Sequence, residues 1–215
     1  IDTLGSEWDN KFTFSYNIGN SDLDFISNII YPLTLNPRSK SENEQNRLFL
    51  LYQSDLTYIL PNKIKLETGL KSTYQNFESQ SEYFRISNGN NEILPNMSNS
   101  FIYNEQINSI YAQASKTLWK EIVLKTGLRM EHTYMHGNQT SPSDTSFKIS
   151  RADFFPYAFL SRKIFSVSNF ELKAFMIYRR TISRPGYQNL NPYVRFVDEF
   201  MYETGNPALK PQFTD

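Results

Sequence analysis

From Lys63 to Gln75 the even positions read Ile64, Leu66, Thr68, Leu70, Ser72 and Tyr74, while the odd positions read Lys63, Lys65, Glu67, Gly69, Lys71, Thr73 and Gln75. A period of two is the mark of a β-strand with one greasy and one polar face. The pattern returns from Glu121 to Tyr134, where Ile122, Leu124, Thr126, Leu128, Met130 and Tyr134 oppose Lys125, Gly127, Arg129 and Glu131. A helix over 62–75 fails, because residues three and four apart mix both classes on every face. The two segments share a phrase, Ile64-Lys-Leu-Glu-Thr-Gly-Leu-Lys71 against Ile122-Val-Leu-Lys-Thr-Gly-Leu-Arg129. Similar alternation predicts strands near 11–18, 46–60, 105–118, 151–164, 169–182 and 194–203, about eight in all with those above.

The connections alternate in length. Pro61-Asn62, Trp119-Lys120 and Phe165–Ser168 read as short turns, whereas 19–44, 77–104, 135–150 and 183–193 read as long loops rich in Asn, Ser and Pro. Short turns at one end and long loops at the other belong to outer-membrane barrels. Dimensions agree: the ten residues from Ile64 to Tyr74, at about 3.3 Å each and a tilt of about 40°, rise about 25 Å, the height of a barrel's apolar band. Tyr58, Trp119 and Phe165 stand by the short turns and Tyr74, Tyr134 and Tyr178 toward the long loops, where interfacial girdles belong. The expected fold is an all-β, antiparallel transmembrane barrel, partial, with about eight strands of a larger one. Parity alone does not separate this from a soluble sheet with its apolar face inward.

Composition narrows the function. Lys+Arg and Asp+Glu are 22 each, so no charge excess points to nucleic acid. Cysteine is absent, which removes disulfides and thiolate chemistry. No apolar run is long enough for a transmembrane helix, and the first residues lack a signal peptide, which is expected to lie upstream.

Toward the end stand Tyr178-Arg-Arg-Thr-Ile-Ser-Arg-Pro185, Tyr187-Gln-Asn-Leu-Asn-Pro192 and Glu203-Thr-Gly-Asn-Pro-Ala-Leu-Lys-Pro211. In spacing and order this resembles the TonB-dependent receptor barrels of Bacteroidetes, in the outer-membrane β-barrel family, with their YxRRIxRPxYxxLNP and GNPxLKPE segments. Gln212 stands where the family usually has Glu. Asn104–Gln113 with Thr126–Glu131 resembles the family's YAQ and GLRxE strand pair, so the likeness covers roughly residues 45–211. It implies a 22-stranded barrel with an N-terminal plug domain, importing a nutrient with energy from TonB. The chain is then expected to be a fragment of one barrel domain over 1–215, without plug or TonB box, stopping mid-barrel and exposing unpaired edges.

Candidate chemistry is sparse. Tyr83, Phe84, Phe101 and Tyr103, placed in long loops, and Arg184 are the candidates for binding a ligand outside, against the plainer reading of packing within the loops. Lys65, Glu67, Lys71, Lys125, Arg129, Glu131 and Arg179 are expected to line the lumen, with Arg179 pairing beside Lys173 and Glu171, while Arg180 snorkels at the outer interface. His132 and His136 share a strand face about 13 Å apart, too far to chelate one metal ion. No metal site, cofactor motif or catalytic triad is expected, and the chain is read as a non-enzyme. The alternatives are a small closed barrel serving as anchor or adhesin, and an outer-membrane hydrolase using His132 or His136.

Overall fold

A computed structural model of the chain describes residues 5–26, 38–87, 89–167, 170–192, 194–196 and 201–215. The strands are β1 (Glu7–Ile26), β2 (Arg38–Leu60), β3 (Ile64–Ser87), β4 (Asn90–Ile93), β5 (Asn99–Thr117), β6 (Ile122–Ser141), β7 (Thr145–Val167), β8 (Phe170–Arg179), β9 (Thr181–Ser183), β10 (Val194–Phe196), β11 (Tyr202–Thr204) and β12 (Gln212–Thr214). A single helical turn, α1 (Tyr187–Leu190), interrupts them. Seven long strands form one antiparallel ladder in the order β1-β2-β3-β5-β6-β7-β8, with β4 added on β3. Among the described residues β1 and β8 do not pair with each other, so the wall is open.

Register carries the parity of the sequence across the whole wall. Leu70 faces Ile110, Ile110 faces Met130, and Met130 faces Phe154. Phe12 likewise faces Tyr52, and Leu160 faces Met176. Even positions therefore share one face from β1 to β8, and odd positions the other. The apolar even face is the bare one: Ile110 is 60% exposed, Phe154 55% and Met176 69%. Burial falls on the odd face instead, where even the carboxylate residue Glu131 retains only 8% of its surface. A soluble sheet with an inward apolar face would show the reverse, so this continuous greasy surface is a lipid face.

The expected turns at Pro61 and Trp119 are each three residues long. Leu60 pairs with Ile64 around Pro61–Lys63, and the Leu118 N–H donates to the Ile122 carbonyl at 2.6 Å around Trp119–Glu121. Asn62, Lys63 and Glu121 take left-handed φ values of 66°, 57° and 55°. Three-residue hairpins of this kind need such residues to match the strands' twist. The third turn differs from its expected bounds, since Phe165, Ser166 and Val167 belong to β7 and residues 168–169 lie outside those described.

The long loops need correction. Residues 18–26 pair with 38–46, β3 runs to Ser87, β5 starts at Asn99, and only 142–144 separate β6 from β7. Most of what reads as loop is thus strand extended beyond the apolar band. There the contrast between a lipid face and a polar face ends, so backbone pairing continues without regular side-chain alternation. The expected strand over 194–203 is a second correction: β10 and β11 are three residues each and pair only with one another, with 197–200 outside the described residues.

The shared phrase acquires a structural role. Both copies begin immediately after a short turn, and their glycines, Gly69 and Gly127, fall on the odd face. Tyr111 lies across Gly69, where a Cβ would sit 2.7 Å from both that ring and the Ser54 carbonyl oxygen. Gly69→Ala is therefore expected to cost about 1–3 kcal/mol through overpacking, read as a lower urea midpoint for the full-length protein folded in lipid vesicles.

Candidate functional site

Above the level of Tyr74 and Tyr134 the odd face changes character. Phe77, Tyr103, Gly137 and Phe147 stand in one row across β3, β5, β6 and β7. Gly137 leaves the space into which the Phe147 ring turns, because a Cβ there would meet that ring. Phe101 and Met135 complete an apolar patch, and Ile149 packs at its margin. Such a patch on a wetted face needs a cover, and the chain supplies one after Arg180.

The cover is the segment from Arg184 to Pro192. Leu190, fully buried, enters the patch, and the Tyr187 ring lies 4.1 Å from that of Phe77 and 6.0 Å from that of Tyr103. The turn itself is closed by the Asn191 N–H donating to the Tyr187 carbonyl at 2.9 Å. A second stretch locks it: the Gly205 N–H donates to Asn191 O at 2.8 Å and the Asn206 N–H to Asn189 O at 2.7 Å. A Cβ on Gly205 would approach those same carbonyls at 2.5 and 2.6 Å, so only glycine permits the contact.

Charge fastens the same segment below the aromatic row. Arg184 Nη2 donates to Glu131 Oε2 at 2.6 Å and to Thr133 Oγ1 at 2.9 Å, while Arg129 Nε lies 3.1 Å from Glu131 Oε1. The side chains of Arg184 and Glu131 are only 18% and 11% exposed, so removing one partner leaves the other charged and largely dry. Glu131→Ala is expected to cost about 2–3 kcal/mol, below the full penalty of a wholly buried pair because both ends touch solvent. Its check is the urea midpoint, with Glu131→Gln falling between the variant and the parent. Arg184 Nε is buried without a hydrogen-bond partner among the described residues. Arg184 also helps line a cavity of about 20 Å³ with Thr133, Met135, Pro185 and Leu190, room for about one water and far below a ligand pocket.

β12 returns to pair with β9, which lets Phe213 slide between two guanidinium groups: Arg180 and Arg151 lie 4.8 and 5.2 Å from its ring centroid. Phe213 also stacks on Phe155 at 6.4 Å, and Arg129 covers Phe155 at 4.9 Å. Arg151 is held in turn by Asp153 through two bonds of 2.8 and 2.6 Å.

An apolar lipid-type face backed by a polar, partly filled face is the anatomy of a membrane barrel wall. A family model described as the outer membrane protein beta-barrel family matches residues 1–215, the whole chain. The chain belongs to that family. This outer membrane β-barrel therefore resides in the bacterial outer membrane, with its even face against the bilayer. No curated protein matches it.

The barrel distributes its expected site residues unevenly. Arg129, Glu131 and Arg184 converge. Lys65 pairs with Glu67 at 2.7 Å, and Gln113 also donates to Glu67 at 2.7 Å, lower on the odd face. Lys71, Lys125 and Arg179 share that face but make no ion pair among the described residues. Arg179 does not join Glu171, which pairs with Lys163 and Lys173. Six to eight residues of strand, about 20–26 Å, separate Arg179 from the two expected neighbours. Arg180 is corrected as well: it does not snorkel outward but covers Phe213, with Nε 3.5 Å from Asp215 Oδ1.

Tyr83, Phe84, Phe101 and Tyr103 lie in paired strands, not in loops. Tyr83, Phe101 and Tyr103 are buried, and Phe84 points to the opposite face from Tyr83. Burial pushes the Tyr103 hydroxyl above the ordinary tyrosine range, so it stays protonated and donates to Glu105 at 2.9 Å. His132 and His136 stand on the even face of β6, His132 within 3.2 Å of Ser150 Oγ.

Sequence reasoning missed Phe77, Met135, Phe155, Tyr187, Leu190 and Phe213. The signal was present without being specific: Phe77, Met135 and Phe155 are apolar residues at odd positions, as Phe49, Leu51, Phe159 and Phe175 also are.

Proposed function

We propose that this chain is a wall segment of a TonB-dependent transporter barrel, of the kind found in Bacteroidetes, that takes up a nutrient across the outer membrane. The observation that supports the reading most is the open ladder: seven long strands stand side by side and, among the described residues, the first does not meet the last. A small anchoring barrel would close on itself and fill its interior with side chains. The likeness of 178–192 and 203–211 to TonB-dependent receptors supports the same reading. In it the odd face lines the lumen, Lys65, Glu67, Lys71, Lys125, Arg129, Glu131 and Arg179 meet water or the plug domain, and TonB supplies the energy. The role is transport without catalysis, for a nutrient whose chemistry the wall does not name.

Spin labels at Phe12→Cys and Ala174→Cys, both mid-membrane on the edge strands, test this in the full-length protein. With about 22 strands spaced about 4.8 Å apart and tilted about 40°, the two labels stand about 35 Å apart across the barrel. A separation below about 20 Å, as in a closed barrel of about eight strands, contradicts the transporter and favours an anchor.

A further inference from the structure

We propose that the inward-folded cover, residues 184–192 braced by 205–211, is a fixed constriction of the lumen near its outer mouth and not a lid that lifts. This rests on the transporter reading, in which the odd face is the lumen.

The cover starts where β9 ends, and β12, which follows it, pairs with β9. Residues 184–192 lie against the odd face of β3, β5, β6 and β7. Two attachments hold them to that face and a third contact braces them. Leu190 and Tyr187 fill the aromatic patch of Phe77, Phe101 and Tyr103. Arg184 grips Glu131 and Thr133 on β6. The two limbs are hydrogen-bonded to each other at Asn189 and Asn191.

A lid needs a weakly held body and a polar seat that water fills when it opens. This seat is apolar and the cover closes over it to leave a cavity of about 20 Å³. Lifting it would expose four or more large apolar side chains to water and leave Glu131 facing Arg129 alone. Those contacts make the seat a permanent one. What remains toward the lumen is a polar rim of exposed Gln188, Asn189, Asn206 and Lys210. The cover thus narrows passage with a rim that is polar except at Leu209, which is 41% exposed.

The test uses the full-length protein in the outer membrane of intact cells, with a cysteine at Lys71, an exposed odd-face position about 20 Å along β3 from Phe77 at about 3.3 Å per residue, or about 15 Å deeper at a tilt of about 40°. A small charged methanethiosulfonate and a bulky polyethylene-glycol maleimide are the two probes. The constriction predicts labelling of Lys71→Cys by the small reagent and not by the bulky one, and since the plug domain also keeps a bulky reagent out, the deciding reading is the gain of bulky-reagent labelling when the cover is released. Adding Tyr187→Ala and Leu190→Ala, which release the cover, admits the bulky reagent. Heat-modifiable gel mobility checks that each variant is folded.

Labelling by the bulky reagent without release, or no gain of it on release, overturns the fixed constriction. Failure of the small reagent at Lys71→Cys, with labelling at Leu70→Cys instead, overturns the lumen reading itself.

Discussion

Leu190→Ala is expected to weaken the seat of the inward-folded segment by about 2–5 kcal/mol, the range for emptying a fully buried leucine site. The cavity left would lie among Phe77, Phe101, Tyr103 and Met135, on strands whose backbones are fixed by ladder pairing on both sides, so collapse is limited and the upper half of the range applies. The effect is local. Residues 184–192 can detach without unzipping β1 to β8, so the loss falls on a sub-global opening and not on the whole wall. At about 1.4 kcal/mol per tenfold, even 2–3 kcal/mol raises the open population by about thirtyfold to a hundredfold. Limited proteolysis of the full-length protein should show cutting within 184–192 accelerated by that factor, with the thermal midpoint nearly unchanged. A fall in the thermal midpoint with no gain in cutting would mean that Leu190 belongs to the core of the wall.

Leu128→Arg should destabilise the folded protein in lipid by about 2–4 kcal/mol, the cost of a cation on the lipid face near the bilayer midplane. Leu128 lies between Ala112 on β5 and Pro156 on β7, midway along the apolar run from Ile122 to Tyr134. Its side chain is 51% exposed, and its cross-strand partners Ala112 and Pro156 carry no side-chain acceptor for a guanidinium. The adjacent Arg129→Leu, one residue on and across the sheet, should change stability less, because it removes a half-exposed partner of Glu131 and a guanidinium over the Phe155 ring while leaving Arg184 on Glu131. Urea titrations of both variants in the same vesicles give the comparison. Equal losses at 128 and 129 would show that the two faces do not differ in solvent.

What was legible and what was not divides along the bilayer. Inside the apolar band each strand has lipid on one side and polar groups on the other, so the run Ile64 to Tyr74 announces its own structure. Pro61 and Asn62 likewise announce a turn, because proline cannot donate to the ladder and asparagine tolerates positive φ. Beyond the band that contrast vanishes. Asn43, Ser81 and Ser79 are paired strand residues as surely as Leu70 is, yet the force on them is backbone pairing, which leaves no side-chain pattern.

The inner site was hidden for a different reason. Phe77, Tyr103, Gly137 and Phe147 are scattered over four connected strands, and only the register brings them into one row. Arg184 and Glu131 are 53 residues apart. The reversal at Arg180 follows from a break in the ladder, where its N–H donates to the Pro156 carbonyl at 3.2 Å and the next residues pair with β12. Parity counted through that break assigns Arg180 to the wrong face.

The central claim is that even positions face lipid and odd positions face the barrel interior. Adjacent cysteines at Ser109 and Ile110 in the full-length protein, labelled with an environment-sensitive fluorophore and placed in vesicles containing brominated lipid, test it most directly. The account predicts strong quenching and a blue-shifted emission at 110, and neither at 109. Quenching at 109 with water-like emission at 110 would contradict it.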